Sequence, residues 1–240
     1  MLVWIKSAAR LAIFPCLFII GKWFWGDFSL TVHVDPLVPL VGQGLMLSCH
    51  LIGQVPANCQ VHWYKWERSK NMTLYVYNST ANGAELSREW HQHRNGAPKG
   101  WYKNGVVRVK FFHVHIEDTG RYVCAVTGDG VYQEVVTQVT VVGFGSAPRL
   151  TIEQQQNNSA TLRCTSQGWY PCPLVLWTDS TRQNITAMAK TRILKDVAGF
   201  YQINSTILIV DSSSDTISCT IINPVLKRHR KKMIPISGKR

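Results

Sequence analysis

The stretch EDTGRYVCAV, from Glu117 to Val126, decides the fold when it is combined with two earlier segments. In GLMLSCHL, Cys49 and the two leucines before it alternate with other residues, as on a strand that buries one face. VHWYKW then brings Trp63 fourteen residues after Cys49, and EDTGRYVCAV ends the series with Tyr-x-Cys at Cys124. These three elements predict two cysteine-bearing strands with a tryptophan between them.

This order of residues is the signature of an immunoglobulin β-sandwich. It predicts a disulfide between Cys49 and Cys124 across two sheets, with Trp63 packed on the bond. The Tyr122 hydroxyl is expected to tie the corner before the second cysteine. The span between the cysteines leaves room for the two additional strands of a variable-type domain, one of which TLYVY (Thr73–Tyr77) can supply.

The later part of the first domain is expected to be less regular. RNGAPKGWYKNG is rich in glycine and carries Pro98, which favours a short strand or an edge position. Asp118 resembles the aspartate that pairs with an arginine across the bottom of variable-type domains. Arg94 is suitably placed to be that arginine, so we expect an Arg94–Asp118 pair.

A second copy of the pattern follows. ATLRC with Cys164, LVLW with Trp177 and DTISCTII with Cys219 repeat it over a shorter span, typical of a constant-type domain. Ile217 stands where the first copy has its corner tyrosine. The predicted fold class is therefore all-β, with two immunoglobulin β-sandwiches in tandem, variable-type then constant-type, and with Cys164 and Cys219 as the second disulfide.

The N-terminus has the features of a targeting segment. Lys6 and Arg10 precede the apolar run LAIFPCLFII (Leu11–Ile20), which has the length of a signal-peptide core and is short for a membrane span. We expect cleavage near Gly26, with an uncleaved anchor as the alternative. The predicted organisation is a signal peptide at 1–26, a variable-type domain at 27–142, a glycine-containing hinge or linker at 143–148, a constant-type domain at 149–237 and a tail at 238–240.

Sequons and cysteines agree with an exported glycoprotein. Of the seven cysteines, Cys16 lies in the leader, and Cys59 and Cys172 have no assigned partner. For these last two, an intermolecular bond, a free thiol and an unusual local bridge all remain open. The predicted glycosylation sites are Asn71, Asn78, Asn157, Asn184 and Asn204.

The net charge of +12 is concentrated at the two ends of the chain. Residues 227–240 hold seven of the excess positive charges and residues 1–22 hold three, which leaves +2 for residues 23–226. Most of the chain is therefore nearly neutral, and no general surface for nucleic acid or another polyanion is implied.

Patterns for catalysis are missing from the sequence. His113 and His115, with His91 and His93, could gather around zinc, but no cysteine or carboxylate at ligand spacing completes the set. No nucleophile elbow, phosphate-binding glycine loop or paired-carboxylate pattern occurs. We predict no enzymatic activity, no metal and no cofactor.

Two longer segments resemble the butyrophilin, butyrophilin-like and Skint family. SQGWYPCPLVLW (Ser166–Trp177) is similar to the Gly-Trp-Tyr-Pro-x-Pro segment of their second domain. The segment Asp118–Pro148 is similar to the end of their first domain and its junction with the second. The resemblance implies an extracellular protein that modulates T cells. Because the chain ends where the family's membrane helix would begin, we expect a secreted form, a truncated product or an ectodomain whose anchor is not in this chain.

The resemblance also leads to expectations for two features of the second domain, the basic run and one X–Pro bond. The basic run Lys227–Lys232 is expected to be the F–G loop, Asn223 to Arg230, and the entrance to a last strand formed by KKMIPIS, with Met233, Ile234 and Ile236 as its apolar residues. Pro235 suggests an edge position for that strand. The Tyr170–Pro171 bond is expected to be cis, as in many constant-type domains.

Recognition is expected on the outer loops of the first domain. These are Gly53–Gln60, Asn78–Glu85 and Thr127–Glu134, of which the last is the best candidate. Its glycines permit a tight turn, its aspartate gives a charge at the tip and its tyrosine offers an amphipathic surface. The alternative is a plain hairpin turn with the tyrosine packed on the sheet. The predicted partner-binding residues are Asp129, Val131, Tyr132 and Gln133.

Three functions fit these features. The first is an immunoglobulin-superfamily ligand that binds a protein receptor on T cells and modulates T-cell receptor signalling, activation or cytokine production. The second is a homophilic adhesion module or decoy that associates with itself. The third is a secreted glycosaminoglycan-binding protein that uses Lys227–Lys232, with an affinity that falls steeply with salt.

Overall fold

The computed structural model describes residues 28–67, 71–80, 83–86, 98–156, 159–210 and 216–236. The expected signal peptide, the Arg94 partner of Asp118, His91, His93, Asn157 and the tail lie outside these ranges. Within them the chain is all-β, and no helix there is long and apolar enough to cross a membrane.

The first domain consists of two antiparallel sheets packed face to face. One sheet has the order β1-β2-β7-β6, and the other has the order β5-β4-β3-β8-β9. The short strand β6 lies at an edge, as its glycine-rich sequence predicts. The bounds are β1 Ser29–Asp35, β2 Leu45–Ile52, β3 Gln60–Trp66, β4 Met72–Asn78, β5 Gly83–Leu86, β6 Lys99–Lys103, β7 Val106–Phe111, β8 Gly120–Gly128 and β9 Val131–Val139.

The second domain is a smaller sandwich without the two additional strands. Its sheets have the orders β10-β11-β14-β13 and β12-β15-β16. β14 shows the alternation most clearly, because Ile203, Ser205, Ile207 and Ile209 face inward and the residues between them face outward. The bounds are β10 Arg149–Gln156, β11 Ser159–Trp169, β12 Leu174–Thr178, β13 Ala189–Lys195, β14 Tyr201–Val210, β15 Thr216–Asn223 and β16 Arg228–Pro235.

A disulfide joins the two sheets in each domain. Cys49 is bonded to Cys124, and Cys164 is bonded to Cys219. Trp63 is fully buried in the first core and donates its indole N–H to the Val107 carbonyl oxygen over 3.3 Å. Because the buried indole N–H has a partner, Trp63 adds a large apolar contact without a desolvation penalty.

The two domains differ at the corner before the second cysteine. In the first, the Tyr122 hydroxyl donates to the Asp118 carbonyl oxygen over 2.7 Å, which is the tyrosine corner that the sequence predicts. In the second, Ile217 takes that place and is buried in the core. Trp177 there donates to the Ser205 hydroxyl over 2.9 Å. A buried apolar side chain thus replaces the hydrogen-bonded corner.

The segment between the domains is packed on the second domain. Gly143 and Tyr170 exchange two backbone hydrogen bonds of 2.8 and 3.0 Å. The Asn223 amide donates to both of their carbonyl oxygens, over 3.3 and 3.1 Å. Phe144 meets Trp169 edge to face, with 5.5 Å between ring centroids. These contacts anchor residues 143–146 on the second domain. The Tyr170–Pro171 peptide bond in the same region is cis, as predicted from the sequence.

The basic run differs from the expectation. Strand β16 begins at Arg228, so most of the run forms the strand itself and the connecting loop is shorter than Asn223 to Arg230. The Asn223 side-chain oxygen accepts from the backbone N–H groups of Val225 and Leu226, each over 3.0 Å, and Lys227 takes a left-handed conformation with φ 53°. This side-chain cap closes the turn early and lets the strand start at once.

Two arginines of that strand lie over an aromatic ring. The guanidinium carbons of Arg228 and Arg230 are 4.9 and 4.6 Å from the centre of the Phe144 ring. Of the apolar residues expected here, Ile234 and Ile236 pack against the core of the second domain, whereas Met233 is 56% exposed. The strand therefore uses arginine stems and cation–π contacts where the sequence suggested a solvated loop.

A substitution at Gly145 tests how closely residues 143–146 pack on the second domain. A Cβ at Gly145 would lie 2.4 Å from Trp169 Nε1 and 2.5 Å from the Gln167 carbonyl oxygen. We expect Gly145→Ala to destabilise the second domain by about 1–3 kcal/mol, since the surrounding atoms must shift. Thermal unfolding should show a fall of several degrees in the transition of that domain.

Gly44→Ala is the control, because its Cβ would meet the Phe111 carbonyl oxygen at an acceptable 3.4 Å. Equal melting temperatures for Gly145→Ala and the unchanged chain would contradict the predicted steric conflict.

Candidate functional site

The turn between β8 and β9 is a two-residue hairpin. Asp129 and Gly130 both have positive φ, 47° and 77°. This conformation matches the right-handed twist of the strands and favours Asp-Gly at these positions. The tight turn places the two strands in register from Gly128 and Val131 onward.

The Asp129 carboxylate binds the neighbouring loop. Its Oδ2 accepts from the Ala57 backbone N–H over 3.0 Å, and its Oδ1 accepts from the Asn58 side-chain amide over 3.2 Å. Ser79 donates its hydroxyl to the Ala57 carbonyl oxygen over 2.9 Å, which adds the third loop. Asp129, at the tip of its turn, therefore binds the loop that contains Ala57 and Asn58, and Ser79 links the third loop to that same loop.

The other three predicted partner-binding residues lie on two sides of β9. Val131 and Gln133 are half-buried, and the Gln133 amide donates to the Phe28 carbonyl oxygen over 2.8 Å. Tyr132 is 60% exposed and projects from the outward side of the sheet. The structure thus places Tyr132 where a partner could contact it, while Gln133 holds the N-terminal segment.

The residues that surround Tyr132 are not among the partner-binding residues predicted from the sequence. We call the outward side of the sheet β5-β4-β3-β8-β9 the front face. Val123 and Ala125 point toward it, yet they are 2% and 5% exposed because larger side chains from the neighbouring strands cover them. The period-two alternation in VHWYKW was the available signal, since the residues between the buried ones must face outward. Large side chains of the front face include Tyr64, Trp66, Arg121, Tyr132, Glu134 and Val136.

Hydrogen bonds and ring contacts order the front face. The Tyr132 hydroxyl donates to Glu134 Oε2 over 2.5 Å, and this bond raises the pKa of Tyr132 to about 12. Burial, followed by the Glu134 charge, raises the pKa of Tyr64. The Arg121 guanidinium lies 5.4 Å from the Trp66 ring centre. The face therefore presents aromatic rings whose polar groups are already oriented.

His113, one of the histidines that suggested zinc, lies apart from this face. His113 Nδ1 lies 3.0 Å from the Gly42 carbonyl oxygen at the exposed end of the other sheet. In the described part of the chain, no three His, Cys, Asp or Glu side chains are grouped to hold a metal ion.

The two unassigned cysteines and the predicted glycosylation sites lie in different surroundings. Cys59 is buried in the first core, and Cys172 is exposed; neither takes part in a disulfide in the described residues. The Asn78 and Asn184 side-chain oxygens accept backbone N–H bonds of 3.0 Å from Thr80 and Thr186. Asn204 lies in the middle of β14 and faces outward.

Asp129→Asn tests the role of the carboxylate in ordering the loops. Asparagine tolerates the left-handed backbone, but it presents an amide group to one of the two donors. Loss of one hydrogen bond should expose the Ala57 amide and accelerate its hydrogen exchange roughly tenfold. Asp179→Asn, in an exposed loop of the second domain, is the matched control; unchanged protection of Ala57 in Asp129→Asn would contradict the assignment.

Glu134→Gln tests the cause of the raised tyrosine pKa. The folded chain stabilises the neutral phenol of Tyr132. The contribution of this hydrogen bond to the stability of the fold is therefore fully present below about pH 10 and is lost as the pH rises through about 12. Removal of the carboxylate charge should bring the pKa of Tyr132 down toward its ordinary value. Carbon NMR of labelled tyrosine rings can follow the titration, and an unchanged Tyr132 pKa would show that Glu134 is not the cause.

Comparison with known proteins agrees with this architecture. Residues 144–231 match the family model described as "Butyrophilin subfamily 3 member A2-like, Ig-C domain". Human butyrophilin-like protein 2 is 27% identical over 218 residues, which cover 89% of this chain. The chain spans 44% of the length of that protein, so it corresponds to only part of such a relative.

Solved structures show the same fold. The crystal structure of bovine butyrophilin matches with a TM-score of 0.73 and 24% identity, over 88% of this chain and 99% of that one. A chain from the crystal structure of ICOS in complex with ICOS-L and an anti-ICOS-L VNAR domain matches with a TM-score of 0.62 and 21% identity, over 82% and 97%. The resemblance carried by the sequence motifs is therefore confirmed: this chain has two tandem immunoglobulin domains and is similar to the butyrophilin and butyrophilin-like proteins, a non-enzymatic family.

Proposed function

We propose that this chain is an extracellular ligand that binds a protein receptor on T cells through its front face and modulates T-cell receptor signalling, activation or cytokine production. The observation that carries the proposal is the exposure of Tyr132, Trp66 and Val136 on one side of one sheet, at 60%, 52% and 47%. Large apolar groups that face water together favour a contact surface.

The chemistry of the front face suits a protein partner. Tryptophan, tyrosine and arginine supply much of the energy at the centre of protein interfaces, and Trp66, Tyr132 and Arg121 are all present here. The Tyr132–Glu134 hydrogen bond and the Arg121–Trp66 contact hold these side chains before any partner arrives. A pre-ordered surface loses less conformational entropy on binding.

The hydrogen-bonded loops at the end of the sheet support the same proposal. Asp129 ties its own turn to the loop that contains Ala57 and Asn58, so the upper edge of the front face has a defined shape. The similar structures include one in which ICOS-L is in complex with ICOS, which supports a protein as the class of partner. The proposal holds for a secreted or an anchored form, since the front face lies wholly within the first domain.

Alanine substitutions on the front face test this function. A soluble dimeric fusion of the chain should stain a subset of T cells, and Trp66→Ala with Tyr132→Ala should reduce that binding at least tenfold, because two anchor side chains are lost. Phe112→Ala is the matched control, since Phe112 is an aromatic residue of the same domain, 45% exposed, that directly follows β7 of the other sheet and lies beside Lys110. Equal loss in the control and the double variant would contradict a role for the front face.

The alternative functions give different results in the same assay. Binding that is lost only when Lys227, Lys231 and Lys232 are changed, and that falls steeply with salt, would favour glycosaminoglycan recognition. Self-association in sedimentation that competes with cell staining would favour homophilic adhesion. Cytokine release by stained T cells then determines the direction of the signal.

A further inference from the structure

The outer face of the sheet β10-β11-β14-β13 carries a row of polar side chains across all four strands. Arg149 pairs with Thr165, Thr165 with Asn204, and Asn204 with Arg192. Asn204 is exposed, whereas its neighbours Ile203 and Ser205 are buried. The asparagine therefore projects from the middle of the sheet.

The Asn204 amide has a defined orientation. Its Oδ1 accepts a hydrogen bond of 3.2 Å from Arg163 Nη1, and Arg163 is itself paired with Glu153. Because a guanidinium only donates, the oxygen must be the atom that faces Arg163. Arg163 stands opposite Thr206, one row along the sheet. The amide nitrogen, which donates to no residue in the described parts of the chain, consequently points the other way.

A depression lies on that other side. It has a volume of about 370 Å³, and Asn204 forms part of its wall. Gln167 and Gln202 offer hydrogen-bond donors and acceptors, and Leu194, which is 65% exposed, offers an apolar surface. This combination suits a sugar with an N-acetyl group, whose hydroxyl and amide groups need polar partners and whose methyl group and ring C–H groups need an apolar one.

We infer that Asn204 carries an N-linked glycan whose first N-acetylglucosamine is seated in this depression. Asn204-Ser205-Thr206 is a sequon, which makes the amide nitrogen an acceptor in the secretory pathway. In the transfer, a bond forms between Asn204 Nδ2 and C1 of the sugar of a lipid-linked oligosaccharyl diphosphate. The C1–O bond to the diphosphate breaks, the amide gives up one proton, and the lipid diphosphate leaves with the bonding electron pair. The transfer leaves Oδ1 unchanged, so in the folded glycoprotein it can accept the hydrogen bond from Arg163 Nη1.

The seated glycan has a structural consequence. It covers the part of the outer face formed by Gln202, Arg192 and Leu194, and it shields an exposed leucine on the edge strand β13. Partners are then excluded from this side of the second domain. The inference does not depend on the proposed T-cell receptor binding, and its test uses no T cell.

Glycopeptide mass spectrometry and native deglycosylation test the inference. The full chain is secreted from a glycosylating cell, and the peptide that contains Asn204 should carry a glycan that Thr206→Ala removes. Amidase release of this glycan from the native protein should become roughly tenfold faster in the variant Gln202→Ala with Leu194→Ser, because two contacts of the sugar are lost. Rates in the reduced and denatured proteins should be equal.

Leu208→Ser is the matched control, since Leu208 is a similarly exposed leucine on β14 outside the depression. Circular dichroism verifies that each variant is folded. An unoccupied Asn204 would overturn the inference, and so would a native release rate that the seat variant leaves unchanged or that Leu208→Ser raises equally.

Discussion

The surfaces of both domains depend on the fixed separation of their two sheets. In each domain a disulfide crosses the apolar interior beside a fully buried tryptophan with a satisfied indole N–H. The paired cysteines are 75 and 55 residues apart, and in the chain-entropy description each such bond stabilises the fold by roughly 4 kcal/mol. With the spacing held, the alternation along each strand decides which side chains reach solvent.

The same alternation produces two outer faces with different chemistry. In the first domain it brings aromatic and apolar side chains together around Tyr132 and Trp66. In the second it brings arginines, amides and a sequon together around Asn204. An acidic side chain orients each group: Glu134 accepts from Tyr132, and Glu153 holds the arginine that turns the Asn204 amide. The aromatic face suits a protein contact, and the polar face suits a carbohydrate.

Some of the charged side chains of strand β16 pack against an aromatic ring, and others are exposed to solvent. Arg228 and Arg230 lie over Phe144, and the same ring meets Trp169 edge to face. A cation–π contact joins the end of the chain to the segment between the domains, and it leaves the neighbouring lysines for solvent. The run is thus partly structural, which weakens the argument from composition alone that a basic cluster must bind a polyanion.

The sequence by itself determined the pair of sandwiches and the tyrosine corner at Tyr122, because each follows from a short pattern with one stable solution. Only the tertiary structure decided what Asp129 binds, since Ala57 and Asn58 are 72 and 71 residues away. It alone also decided the stacking of Arg228 on Phe144 and the direction of the Asn204 amide. Contacts of this kind arise when distant strands are packed side by side, and no local pattern of residues specifies which partners then meet.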